Sequence, residues 1–363
     1  MNDTHNPLRR HLLAAGLGGL AGLGATEPAN ALPKKRLQFP RDHGAHPGFR
    51  TEWWYVTGHA SDGQREFGFQ VTFFRTRVEG TQGMQSAFAA RQLLFAHAAI
   101  TDVQGRKLWH DQRIARQGFD VAQASEADTT VQLRDWSLRR GAQGKDAYEA
   151  RVTAADFAMD LRFAPTQPVL LQGDQGLSRK GPEAAQASYY YSQPQLATTG
   201  TLTLRGQPFK VQGKAWLDHE WSESLLHPEA VGWDWIGMNY FDGSAITAFR
   251  LRRQDGSTLW DGGSFRTANG GTLYIASKGE NEFSPQRFWK SPLSQASYPV
   301  EWIVRTPADF YTVKAVIDNQ ELDSRTSTGA IYWEGLSDLL DSNGKKVARG
   351  YLEMTGYAKP LRL

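Results

Sequence analysis

Apolar and polar positions alternate along most of this chain with a period of two, the mark of a strand with one buried face. Phe67-Gly68-Phe69-Gln70-Val71-Thr72-Phe73 sets large apolar residues against small or polar ones. In Phe157-Ala158-Met159-Asp160-Leu161-Arg162-Phe163, the charged Asp160 and Arg162 turn away from the large side chains. The same rhythm predicts strands over residues 92–100, 201–204, 245–251, 272–276, 300–304, 311–317, 330–333 and 346–354. Turn signals fall between them, among them Ser61-Asp62-Gly63, Phe241-Asp242-Gly243, Gln254-Asp255-Gly256 and Asn343-Gly344. No amphipathic stretch of helical period is long enough for a major helix, and short helical turns are expected near 182–187, 222–226 and 335–340. Many short antiparallel strands build sandwiches or barrels. The predicted fold class is therefore all-β. The alternation lapses over residues 171–194, LQGDQGLSRKGPEAAQASYYYSQP, which reads as a long loop leading to a boundary. That divides the chain into an N-terminal β domain, 32–195, and a C-terminal β domain, 196–363.

Length agrees with one large or two medium domains, since 363 residues exceed what one hydrophobic core usually serves. Residues 1–31 are set apart as a signal peptide: Arg9-Arg10, an apolar Gly- and Ala-rich run over 12–23, then Ala29-Asn30-Ala31 as a cleavage site. The arginine pair points to the twin-arginine route, although Leu8 stands where Ser or Thr is commoner. The expected address is periplasmic or secreted. There is no cysteine, which excludes disulfides, thiol nucleophiles, thiolate metal sites and a lipid anchor on Cys. With a net charge of +3 and no basic stripe interleaved with aromatics, nucleic acid is not an expected partner. Neither a G-x-S-x-G elbow nor a phosphate loop is present.

The candidate chemistry is concentrated in residues 211–242, VQGKAWLDHEWSESLLHPEAVGWDWIGMNYFD. On extended backbone, residues two apart share a face, so His219 sits beside Trp221 and Tyr240 beside Asp242. An acid, a base and electron-rich rings around one cavity suit a reaction in which a carbon becomes positively charged. A Trp-rich core with satisfied polar groups explains the spacing equally well. Strict alternation over 233–242 puts Trp233 and Trp235 on one face, and Asp234, Ile236, Met238, Tyr240 and Asp242 on the other. A carboxylate on so apolar a face should have a raised pKa and serve as a general acid. Earlier, Glu52 and Trp54 share one face of a strand, with Trp53 and Tyr55 on the other, and Tyr189-Tyr190-Tyr191 suits the rim of a cavity. Asp42, His43 and His46 could form a metal site with His59 or His97. Gly44 and Pro47 favour instead an ordered turn whose imidazoles bond to backbone, so neither metal nor cofactor is expected.

Two of these stretches carry a family resemblance. FPRDHGAHPGFRTEWWYVTGH, residues 39–59, and GKAWLDHEWS, residues 213–222, resemble the signature regions of the AttH/carotenoid 1,2-hydratase family, and the similarity runs from about Phe39 to Tyr357. The resemblance implies two consecutive calycin- or lipocalin-like β domains with a ligand cavity at or near their junction. It also implies that His-x-Trp and Tyr-x-Asp pieces carry hydratase chemistry, here His219 with Trp221 and Tyr240 with Asp242. The expected reaction is a hydro-lyase-type addition of water to a trisubstituted isoprenoid or prenyl alkene. Asp242 would protonate the alkene, Trp221 and Tyr240 would face the tertiary cation, and His219 would deprotonate the water; the roles of His219 and Asp242 stay exchangeable. Glu52, Trp53, Trp54, Tyr55, Tyr190, Trp233 and Trp235 are the expected substrate-binding wall. The alternative is a non-catalytic periplasmic carrier of an apolar ligand, serving an ABC exporter and touching the membrane peripherally. Convergence of His219 and Asp242 in one cavity separates the two readings.

Overall fold

Each alternating segment lies in a strand of the computed structural model, which describes residues 31–141 and 146–361, although 311–317 is paired only to Ala315. The leader expected over 1–31 falls, Ala31 apart, outside the described residues. The only helical elements among the described residues are single 3-10 turns, Arg41–His43 and Glu79–Thr81. Two of the expected helical turns are strand instead: residues 335–340 belong to Ala330–Leu340, and 222–224 end Gln207–Ser224. In the first, Leu336 and Leu339 are buried and the backbone pairs with Lys346–Met354, so tertiary pairing overrides local propensity.

Among the described residues all strands pair antiparallel and form two sheets. Thirteen strands, from Thr51–Ser61 to Gln207–Ser224, make a nearly closed barrel, and ten strands, from Gly232–Tyr240 to Lys346–Met354, make the second sheet. Near-closure leaves Lys107–Arg116 and the short Ala122–Ala124 as end strands of the first sheet, with edges that could pair with other chains. Inside the first barrel lie Trp54, Phe69, Phe73, Trp136, Tyr191 and Trp221; inside the second sheet lie Met238, Tyr298, Trp302, Trp333 and Leu352. Burying each such side chain stabilises the fold by about 1.5–3 kcal/mol. Residues 37–49 lie against the first barrel, where Leu37 and Ala45 join the core and the Trp54 indole donates to the His43 carbonyl at 3.1 Å.

The boundary expected at 195 is corrected. Ala187–Leu204 runs unbroken through that position and pairs on both sides, with Phe157–Ala164 and Gln207–Ser224. The sheets change over at residues 225–231 instead. The YYYSQP stretch looks like loop because its two faces meet unlike environments. Tyr189 and Tyr191 enter the barrel core, while Tyr190 faces outward toward the second sheet, so no simple alternation of apolar and polar remains. Close approach explains the glycine that opens GKAWLDHEWS: a Cβ on Gly213 would lie 1.9 Å from the His59 carbonyl oxygen.

Candidate functional site

Thr51–Ser61 and Gln207–Ser224 are neighbours, and their register decides what each face carries. Trp54 lies opposite His219 and Glu52 opposite Trp221, while Trp53 lies opposite Glu220 and Tyr55 opposite Asp218. The first set points into the barrel. The second points out, toward the second sheet.

Inside the barrel the polar groups form a closed network. Glu52 Oε1 accepts from His46 Nδ1 at 2.7 Å and His219 Nε2 at 2.9 Å, and Glu52 Oε2 accepts from Arg75 Nε at 2.8 Å. The other nitrogen of His46 meets Asp42 Oδ1 at 2.9 Å, so both its ring nitrogens face carboxylates. Tyr191 places its hydroxyl 2.7 Å from His43 Nδ1 and 3.1 Å from His219 Nδ1. Trp221 stacks on His46 at 3.8 Å and Trp54 on His219 at 4.7 Å. His46, Glu52 and His219 offer ligand atoms within 4.8 Å of one another, the residues here that could hold a metal ion. Arg75 already pairs with Glu52 at 2.8 Å, however, and His46 spends both ring nitrogens on Glu52 and Asp42, so the donor set fits a closed network better than a divalent cation. The imidazoles of His43 and His46 bond to side chains, not to backbone as expected. His59 and His97 lie outside this cluster, and His97 instead meets Tyr332 and Ser327 at 2.8 and 2.9 Å.

Outside the barrel wall, between the two sheets, lies a cavity of about 710 Å³. Tyr55, Tyr190, Trp233, Trp235 and Phe249 give it an aromatic lining, and Asp218, Glu220, Glu334 and Glu353 bring carboxyl groups to it. Asp218 accepts from Tyr190 at 2.8 Å, Ser192 at 2.5 Å and Trp216 at 2.7 Å. Burial nevertheless pushes its pKa up to about 7, with the Glu220 charge adding to the rise. Glu220 pairs with Lys180 at 3.0 Å, whose ammonium also lies over the Phe249 ring at 4.2 Å. Glu334 and Glu353 are opposite each other on adjacent strands, with Trp235 opposite Glu353 on its other side. Withdrawal from solvent, then the Asp218 and Glu220 charges, push Glu353 up to about 7 against the Trp233 indole. Burial and the neighbouring Glu353 hold Glu334 well above the usual carboxylate range. One oxygen of Glu334 and the Tyr55 hydroxyl, both buried, interact with each other and have no other hydrogen-bond partner among the described residues. Together these groups can hold a proton at neutral pH beside aromatic faces.

The four residues expected to converge do not, so the criterion that would favour a hydratase over a carrier fails for His219 and Asp242. His219 and Trp221 lie inside the first barrel, whereas Tyr240 packs on Phe265 and Tyr311 inside the second sheet. Asp242 stands exposed in the turn after Gly232–Tyr240, its carboxylate accepting the Ser244 N–H at 2.8 Å. The alternation that should have buried Asp242 ends with Tyr240, where the chain turns. Asp234, on the same face, is buried but pairs with Arg250 at 2.8 Å and Arg252 at 3.2 Å. Among the expected binding residues, Trp53, Tyr55, Tyr190, Trp233 and Trp235 line the cavity. Trp54 points into the barrel, and Glu52, though part of the cavity wall, commits its carboxylate to the barrel network. Sequence reasoning missed Lys180, Glu334 and Glu353, and placed Asp218 and Glu220 on the face away from chemistry. The available signal was a carboxylate amid bulky strand residues, as in Tyr332-Trp333-Glu334 and Tyr351-Leu352-Glu353. Asp242→Asn should accordingly leave ligand-induced quenching of Trp fluorescence unchanged and alter stability by no more than about 0.5 kcal/mol. Lost binding in that variant would restore Asp242 to the site.

Residues 30–357 match a family model described as AttH-like. The crystal structure of NE1406 from Nitrosomonas europaea, provisionally assigned to AttH, is 44% identical, with a TM-score of 0.83 over 91% of this chain and 100% of that one. Kievitone hydratase from Nectria haematococca superposes with a TM-score of 0.69 at 13% identity, covering 89% of this chain and 94% of its own. CghA, also 13% identical, reaches 0.51 over 86% and 89%. At that identity the last two likenesses concern the fold. No curated protein matches the chain by sequence.

Proposed function

The chain belongs to the AttH-like family, and we propose that its inter-sheet cavity adds water to a trisubstituted isoprenoid or prenyl double bond. One observation carries this reading: Glu334 and Glu353 face each other in a pocket that Tyr55, Tyr190, Trp233, Trp235 and Phe249 also line. Two carboxyls so placed cannot both ionise easily, so the pair keeps a proton at neutral pH. Donated to the less substituted alkene carbon, that proton leaves a tertiary cation. Trp235, Tyr55 and Tyr190 would face it, each contact worth about 0.5–2 kcal/mol when desolvated. Water then forms the C–O bond, and its surplus proton passes to Asp218, from which solvent returns it to the pair. The acid assigned to Asp242 from sequence thus moves to Glu353 with Glu334, and the proton-accepting role of His219 to Asp218. The fold shared with a protein named as a hydratase supports the reaction class. A carrier of apolar cargo for an ABC exporter accounts for the aromatic wall but not for carboxyls kept out of water, each of which costs stability. The proposed address is periplasmic or secreted, and the ligand an isoprenoid or prenylated compound.

The test is incubation of the purified protein with prenylated phenolics and acyclic isoprenoid alkenes in H₂¹⁸O, followed by mass spectrometry. A tertiary alcohol carrying ¹⁸O is expected. Saturable quenching of Trp fluorescence across the panel without any water addition would overturn catalysis in favour of the carrier.

A further inference from the structure

The carboxyl groups of the cavity outnumber the cations able to balance them. Two buried cations border it, and both are committed: Lys180 to Glu220 at 3.0 Å, and Arg75 to Glu52 at 2.8 Å. Arg325 and Lys359 belong to the lining only as exposed groups, and Arg325 pairs with Asp323. Asp218 is held by neutral donors alone, namely Tyr190, Ser192 and Trp216. Glu334, only 2% exposed, and Tyr55, 6% exposed, bring a carboxyl oxygen and a hydroxyl close enough to interact with each other, and neither atom has another hydrogen-bond partner among the described residues. Both atoms belong to groups that line the same space as Trp233, Trp235 and Tyr190. A carboxyl oxygen and a hydroxyl with no further partner, beside a second carboxyl on Glu353 and the π-faces of several rings, are complementary to one chemical group, a cation that can also donate hydrogen bonds.

We propose that the cavity binds apolar molecules carrying a protonated amine, seated against Glu334 and Glu353 with the hydrocarbon body along Trp233 and Trp235. The proposal rests on the reading of this cavity as the ligand site and extends its ligands from alkenes to organic cations. The same electrostatics that would favour a tertiary carbocation for an instant favour an ammonium at equilibrium. A bound ammonium supplies the counter-charge the pair lacks, so Glu353, where protonated, gives up its proton when the ammonium arrives. The other titratable groups facing the pair are Tyr55 from the first barrel, Tyr332 and Tyr351 from the pair's own strands, and Asp218 and Glu220 from the barrel wall. Burial raises the tyrosines, so they stay protonated and only the carboxyls exchange protons near neutrality. Glu353 is pushed up to about 7, so below that pH its proton must leave before the ammonium can pair with it, and above that pH it already meets the ammonium as a carboxylate. Amine affinity should therefore fall about tenfold per unit as pH drops below 7, and level off above it.

Isothermal titration of the full-length protein with geranylamine and with geraniol, its neutral isostere, tests this. At pH 7.5 the amine should bind at least about tenfold tighter, the least expected for a charge-assisted contact in a desolvated site. At pH 6 its apparent binding heat should differ between buffers of unlike ionisation enthalpy, reporting the proton released, while that of geraniol should not. Glu334→Gln with Glu353→Gln should abolish the amine's advantage and leave geraniol binding intact, which also shows that the variant is folded. Equal affinities for amine and alcohol, or an amine preference that survives the double substitution, would overturn the proposal. Amine binding without alkene hydration keeps this inference and removes the hydratase; hydration without amine preference does the reverse.

Discussion

Glu52→Ala should cost the protein about 3–5 kcal/mol of stability, the loss expected when one partner of a buried ion pair is removed. Glu52 and Arg75 are each 1% exposed. With the carboxylate gone, Arg75 would keep only the carbonyls of His46 and Phe49 and the side chain of Gln92, all neutral. His46 and His219 would lose their shared acceptor in the same step. The pH dependence follows from the sign of the shift. Burial alone would raise the Glu52 carboxyl, but hydrogen bonds and charge from His219 and His46 hold it well below the usual carboxylate range. Its stabilisation is therefore fully present above the ordinary glutamate pKa and disappears as pH falls through the acid range. Urea denaturation at pH 7 and pH 3.5 checks both points: the gap between wild type and variant should be wide at neutral pH and narrower in acid. A midpoint unchanged at pH 7 would show that Glu52 does not hold the barrel together.

Glu353→Gln should lower the rate of alkene hydration by about 10²–10⁴, the usual contribution of a positioned acid, while ligand affinity is kept. Glutamine preserves shape and an oxygen acceptor but brings no acidic proton. In the wild type, the donor form persists below about pH 7 and is lost above it, so the rate should fall along an alkaline limb near that value. Glu220→Gln offers a second check on the same residue. It removes one of the charges that raise Glu353 and frees Lys180 from its partner. Both changes favour the carboxylate, and the limb should move to lower pH. Rates measured from pH 5 to 9 for the three proteins decide it. A Glu353→Gln enzyme with undiminished turnover would transfer the acid role elsewhere.

What could be read from sequence was whatever depends on neighbours along the chain. Alternation predicted the strands because Phe67, Phe69, Val71 and Phe73 must share one side wherever that side is buried. It also separated Trp53 and Tyr55 from Glu52 and Trp54, a split the register with Gln207–Ser224 preserves. Alternation does not say which face of a strand meets a partner sheet. In Asp218-His219-Glu220-Trp221 both faces carry a titratable group, and the cavity lies on the side of Asp218 and Glu220. The Glu334–Glu353 pair arises from strand pairing, and its meeting with Asp218 from packing between sheets; neither leaves a mark in local spacing. Tyr240 and Asp242 misled for a related reason. They satisfy a two-residue spacing, but the strand ends between them.

The wall between barrel and cavity is one backbone thick, because Glu52 and Trp53, or His219 and Glu220, are consecutive residues facing opposite ways. A molecule seated on Trp53 and Tyr55 therefore presses on the strand that carries Glu52, whose carboxylate holds the rings of His46 and His219. Imidazole resonances in nuclear magnetic resonance spectra are sharp probes of such hydrogen bonds, so these two rings are built-in reporters of an occupant they never touch.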